Sequence, residues 1–143
     1  MSSYTLSWSR AVGDGSSSET SGGTKAEATL EGMLSNLKKT LNKSGSVSLA
    51  VIDGPEIGPQ LLQVETQGGK SLLTLGVDDG DDYIVRHYVQ TEKELNAIAA
   101  EPEKIKLFGN YWDKHLICTD KEIVTAVFTE FFETGDIPRT ILN

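Results

Sequence analysis

Two histidines, one cysteine and one dense run of carboxylates are the residues from which chemistry would have to be built. Asp78, Asp79, Asp81 and Asp82 surround Gly80. Clustered carboxylates can hold calcium or magnesium. The EF-hand spacing is absent, however, and no distal Glu completes a loop. Asp-Gly between two apolar runs is itself a strong hairpin signal, so the run reads first as a turn. Neither His87 nor His115 has a Cys, His or carboxylate at a recognised metal spacing. His115 and Cys118 are three apart, which in an extended segment puts them on opposite faces. A Cys–His pair would need a tertiary approach, and Cys118 reads better as a small buried hydrophobe. Gly13, Gly15, Gly22 and Gly23 lie in a polar stretch, without the strand before and helix after that a phosphate cradle needs. The expectation is no catalytic residue, no metal site and no cofactor.

Charge points elsewhere. The net charge is −8, and residues 46–103 carry all of it, with eleven acidic side chains against Lys70, Arg86 and Lys93. Such a surface repels a phosphate backbone and an anionic membrane. It attracts a basic protein and accelerates its arrival. Solubility alone would also explain the acidity. No apolar run approaches the roughly 18 residues needed to span a bilayer. The first ten residues show no secretory pattern, and a lone cysteine suits a reducing compartment. The cytoplasm is therefore the expected location.

The elements that would position these residues follow from periodicity. Residues 3–12 alternate in part, with Tyr4, Leu6, Trp8 and Arg10 on one face, and read as a strand. Residues 13–23 are almost all Gly, Ser, Asp, Glu and Thr and read as a mobile loop. Thr24 and Glu27 have capping-box spacing and open a helix. Leu30, Met33, Leu34, Leu37 and Leu41 form its apolar stripe. Residues 47–52, 61–66, 71–77 and 83–89 are strands of an antiparallel meander, each bounded by turn residues. A weak helix occupies 91–101. Residues 107–112 and 115–118 read as two short extended pieces. Asp120 caps a last helix carrying Ile123, Val124, Val127, Phe128, Phe131 and Phe132, which Gly135 stops. Residues 139–142 read as a final strand. The class is α+β: one domain over residues 1–143, with a largely antiparallel sheet of about six to eight strands and two main helices packed on it.

The stretch 107–141 includes Leu107-Phe-Gly-Asn-Tyr-Trp112, the capped helix ending Phe131-Phe132-Glu133-Thr134-Gly135, and Pro138. With the acidic hairpin at 79–89 before it, this order resembles the Imm1 family of bacterial immunity proteins. That resemblance implies a protein that neutralises a cognate toxin by tight binding. Family members are commonly encoded beside polymorphic toxins, including those of contact-dependent inhibition, and many of those toxins are deaminases or nucleases acting on nucleic acid. A blocked active or substrate-binding site is the implied mechanism. Toxin identity, oligomeric state and the binding face stay open.

The acidity adds a physical argument, because a toxin that grips nucleic acid presents a basic surface. The partner-facing candidates are Asp79, Asp81 and Asp82, with Glu92 and Glu94 beside them in the acidic middle. Tyr111 and Trp112 are the aromatic anchors to consider. Two other readings stay open. One is a small enzyme or ligand-binding domain with a cleft near Tyr83, His87 and Tyr88. The other is an adaptor subunit bound through the leucine stripe.

Overall fold

The structure, a computed structural model, describes residues 3–11 and 20–143. Its first strand, β1 (Ser3–Ala11), buries Tyr4 and Leu6 on one face. Beside it runs β2 (Thr20–Lys25), antiparallel, with Leu6 opposite Lys25 and Ala11 opposite Thr20. This corrects both expectations for the segment. Residues 20–23 are strand rather than loop, and residues 13–19 lie outside the described residues. Thr24 does not open a helix, because it sits in the ladder with its hydroxyl 3.4 Å from that of Ser7. Gly22 and Gly23 hide this strand from any pattern of alternation. Trp8 covers the gap, since a side chain at Gly23 would collide with its indole.

The helix begins five residues later. In α1 (Leu30–Leu41) the Thr29 hydroxyl accepts from the Gly32 amide at 3.0 Å, while Ala28 is still bonded to the Tyr4 carbonyl. The cap falls where the sheet releases the chain. Met33, Leu37 and Leu41 are buried and Leu30 and Leu34 pack against the same core, so the stripe is not a free adaptor face.

Four strands follow as a meander: β3 (Gly45–Asp53), β4 (Gly58–Gln67), β5 (Lys70–Asp78) and β6 (Tyr83–His87). Among the described residues the sheet order is β2-β1-β3-β4-β5-β6, with all neighbours antiparallel. Gly45 (φ 150°) is needed where β3 meets β1, because any side chain would strike the Ser9 carbonyl.

Helix α2 (Glu92–Ile98) leads into a hairpin, β7 (Lys104–Leu107) and β8 (Asn110–Asp113). The expected extended piece at 107–112 is thus broken by a two-residue turn. Phe108 and Gly109 both have positive φ (48° and 85°), as a type I′ turn demands. A single tight turn, Lys114–Leu116, takes the place of extended chain at His115. Strand β9 (Ile117–Cys118) then pairs with β5 at Leu72 and Ser71.

Helix α3 (Lys121–Thr134) is capped by Asp120, whose carboxyl accepts from the Glu122 amide at 2.9 Å. It ends at Gly135 (φ 77°). Together α1 and α3 bury Phe128, Phe131 and the leucines against Leu49, Leu62, Val64, Leu73 and Leu75 on one sheet face. The Tyr4 hydroxyl donates to the Phe131 carbonyl at 3.0 Å across that core. Leu72 points the other way and joins Ile98, Ile105, Leu107 and Ile117 in a second, smaller core under the hairpin.

The final segment is not a strand at 139–142. Among the described residues its backbone meets the sheet at an isolated bridge, Tyr88 to Leu142. The buried Arg86 guanidinium holds it, donating to the carbonyls of Ile137 and Leu142, with Asp136 3.5 Å away. The molecule is an α+β fold in which a mostly antiparallel sheet carries its two longer helices on one face.

Candidate partner-binding surface

Antiparallel pairing brings two turns to one end of the sheet. Gly58 at the start of β4 lies opposite Asp78 at the end of β5, and Tyr83 at the start of β6 lies opposite Asp78 on the other side. The loop after β3 and the turn after β5 are therefore neighbours. Between them they carry Asp53, Glu56, Asp78, Asp79, Asp81 and Asp82, with no Lys or Arg in either turn. Ile57 reaches the second turn from the first, its terminal methyl carbon lying 3.7 Å from where a Gly80 side chain would begin.

The aspartate turn has a local explanation. Asp78 accepts from the Gly80 amide at 2.9 Å, and Asp79 accepts from the amides of Asp81 and Asp82 at 3.0 and 2.7 Å. Those amide dipoles hold the Asp79 carboxyl below the ordinary carboxylate range. Asp79 is thus occupied in shaping the turn. No such bond runs from the side chains of Asp81 and Asp82, which are exposed. Among the described residues no group of three His, Cys, Asp or Glu is arranged to hold a metal.

Apolar side chains are exposed beside these charges. Ile57 is 64% exposed, Tyr83 57% and Val85 49%, with Ile84 at 38%. Tyr83 and Val85 lie on the face away from the helices, and the Tyr83 ring covers Gly76 on the neighbouring strand. Carboxylates thus stand next to exposed apolar groups, a combination of charge and apolar area that protein interfaces use.

The other expected residues are not brought to this end. Glu94 is buried, 2% exposed, so its candidacy as a contact residue is corrected. Its carboxyl accepts from the Thr119 amide (2.8 Å), the Thr119 hydroxyl (2.6 Å) and the Cys118 thiol (3.3 Å), and it ties α2 to the strand before α3. Glu94 sits three residues after the Thr91 cap of a short polar helix, and nothing in that local pattern marks it as buried. Glu92 is exposed on α2. Tyr111 and Trp112 belong to the β7–β8 hairpin, whose turn is fastened to the opposite end of β4 by the Phe108 amide donating to the Gln67 side chain at 3.0 Å. Tyr111 is 67% exposed, with the Lys106 ammonium 5.7 Å from its ring centre. Trp112 packs partly buried on the second core, so it is a structural residue more than a surface anchor.

The thiol and the His115 imidazole bond to different partners. Cys118 faces Glu94 and the Asp120 carbonyl, and burial pushes its thiol up to about 12. His115 turns instead to Asp113, 2.9 Å from its Nδ1. The residues named for a small-molecule cleft also separate. Tyr83 lies over the sheet edge, whereas Tyr88 lines a groove of about 420 Å³ between α3 and the last segment, with Val89, Ile123, Val127 and Ile141.

Fold and surface together describe a small α+β fold with a polarised acidic end. By sequence the chain belongs to DUF6911, a family of unknown function, which it matches over residues 8–141. In structure it is similar to a hypothetical protein from Neisseria gonorrhoeae, with a TM-score of 0.69 and 17% identity over 92% of this chain and 88% of that one. That likeness establishes the fold alone. No curated protein matches the chain.

Proposed function

We propose that this protein is a binding domain that captures a basic protein partner on the acidic end of its sheet. On the resemblance of its C-terminal third, it is the immunity protein of a bacterial toxin. The observation that carries the binding reading is the gathering of six carboxylates and the exposed Ile57, Tyr83 and Ile84 on two adjacent turns and the strand ends that flank them. The charges raise the encounter rate with a basic surface, and the apolar groups supply contact once water is expelled. A toxin that acts on nucleic acid exposes cations where phosphates bind, and an acidic plug there competes with its substrate directly. Such a protein works in the cytoplasm, where the toxin would act. Among the described residues no helix is long and apolar enough to cross a membrane.

Affinity capture at low salt followed by mass spectrometry tests the reading, with the captured domain then measured kinetically. Replacing Asp79, Asp81 and Asp82 together with Asn, and keeping Gly80, is expected to lower the on-rate about tenfold or more at low salt and to flatten its salt dependence. A captured partner whose rates are unchanged by the triple variant at every salt concentration places the interface elsewhere. A second reading, a small-ligand domain, rests on the groove beside Tyr88. It predicts thermal stabilisation by an apolar ligand and no protein capture.

A further inference from the structure

The acidic end adjoins an unfinished sheet edge. Strand β6 pairs with β5 on one side, and no described strand lies beyond it. The last segment covers part of that side: the His87 amide donates to Asn143 at 3.2 Å, the Asn143 amide donates to His87 at 2.8 Å, and the Val89 amide donates to Ile141 at 2.8 Å. In an antiparallel ladder successive residues direct their amides and carbonyls alternately to the two sides. His87 points outward, so Val85 and Tyr83, which share its parity, point outward as well. The bond from the Asp79 amide to the Asp82 carbonyl fits this alternation, since it puts residues 79 and 82 on inward-bonded positions. Two residues therefore present four backbone groups to solvent on a strand whose side chains, Tyr83, Ile84 and Val85, are all exposed and uncharged.

Native edges are usually blunted by Lys, Pro or a covering loop. Among the described residues nothing of this kind protects 83–85, while 87–89 is covered. The open stretch runs directly into Asp82 and Asp81.

We propose that the β6 edge at Tyr83–Val85 is a strand-addition site for an extended segment of a partner protein that alternates basic and apolar residues. The segment would pair with the outward amides and carbonyls of Tyr83 and Val85. Its apolar side chains would lie against Ile84 on one face and Tyr83 and Val85 on the other, and its cations would meet Asp81 and Asp82. Charge complementarity selects this occupant over a second copy of the chain, which would bring its own acidic turn to the same edge. The inference rests on the acidic end being the partner-facing surface and specifies how the partner is held there.

The probe is a ten-residue peptide alternating lysine and valine, compared with the same peptide N-methylated at its central amides. Methylation keeps charge and side chains and removes the donors. Binding is followed by amide NMR shifts and by titration at low and high salt. The protein variants are Val85→Pro, which deletes an outward donor and no bond to β5, and Val85→Lys, which keeps the backbone and adds a repelling charge. Both are checked first for unchanged melting. The expected result is a shift of the Tyr83 and Val85 amides, with binding at least about fivefold weaker for the methylated peptide and for each variant that folds. Salt-sensitive binding that is equal for both peptides and for the Val85 variants would overturn strand addition and leave the acidic surface standing. Absence of binding by either peptide would overturn the proposal. Self-association of the wild type that Val85→Pro abolishes would assign the edge to a second copy and overturn it too.

Discussion

Replacing Glu94 with Ala removes a buried carboxyl that three donors address, and it separates a structural role from a partner-binding one. The Thr119 amide and hydroxyl bonds, at 2.8 and 2.6 Å, are short, and the Cys118 thiol at 3.3 Å is a weak third donor. A hydrogen bond to a charged group contributes about 1.5–3 kcal/mol, and stranding a buried donor costs about 1–3 kcal/mol. Thr119 is only partly buried, so water can recover part of this. The net expectation is a loss of about 3 kcal/mol, a large share of the roughly 5–15 kcal/mol available to a small domain. For a chain of this size that is a fall in Tm of about 10 °C. Glu94→Gln keeps an acceptor for the Thr119 amide and lets the Thr119 hydroxyl reverse its role, so its cost should be about 1 kcal/mol. Thermal melting and urea unfolding of both variants provide the assay, with partner association measured on the folded fraction. A Glu94→Ala protein that melts with the wild type but binds its partner more weakly would refute the reasoning, since it would put the carboxyl at the interface instead of between α2 and Thr119.

Three further outcomes are expected. Phe128→Ala should destabilise the protein by about 3–5 kcal/mol by chemical denaturation, because the ring is fully buried between α3 and the sheet; an unchanged midpoint would mean the helix presents another face. Phe108→Asn should raise Tm by about 3–5 °C, since Asn tolerates the positive φ at about 1 kcal/mol less strain; a lower Tm would show that contacts of the Phe108 ring outweigh the strain. Cys118, buried and with its thiol pushed up by that burial, should be alkylated at near-neutral pH far more slowly in the folded protein than in denaturant. Equal rates would show that the thiol is open to solvent.

Helix α3 was legible in the sequence because every signal for it is local: the Asp120 cap, the apolar spacing from Ile123 to Phe132, and Gly135 at the stop. The meander from β3 to β6 was legible for the same reason, since Gly marks each reversal, with Asp beside it at the first and the last. Of the candidate surface, the acidic turn itself was legible, but its neighbour was not. Asp53, Glu56 and Ile57 join it only through the register that sets Gly58 opposite Asp78.

Sequence alone determined most of the elements whose causes lie within one turn or one hairpin: the Asp120 cap, the apolar stripes, the glycine-marked reversals of the meander and the site of the charge excess. The local turn at Phe108–Gly109 was not legible, because Phe is rare at positive φ. Tertiary structure decided whatever depends on a distant partner. Thr24 lost its helix to β1, because a ladder of backbone bonds outweighs a capping pattern that exists only on paper. Glu94 became a buried tie, because its donors are Cys118 and Thr119, far along the chain. The last segment gave up its strand to a bridge and the Arg86 guanidinium. Strand parity is a further such decision: a shift of one residue exchanges inside for outside, and only the pairing of β6 with β5 and Asn143 settles that Tyr83 and Val85 face open water.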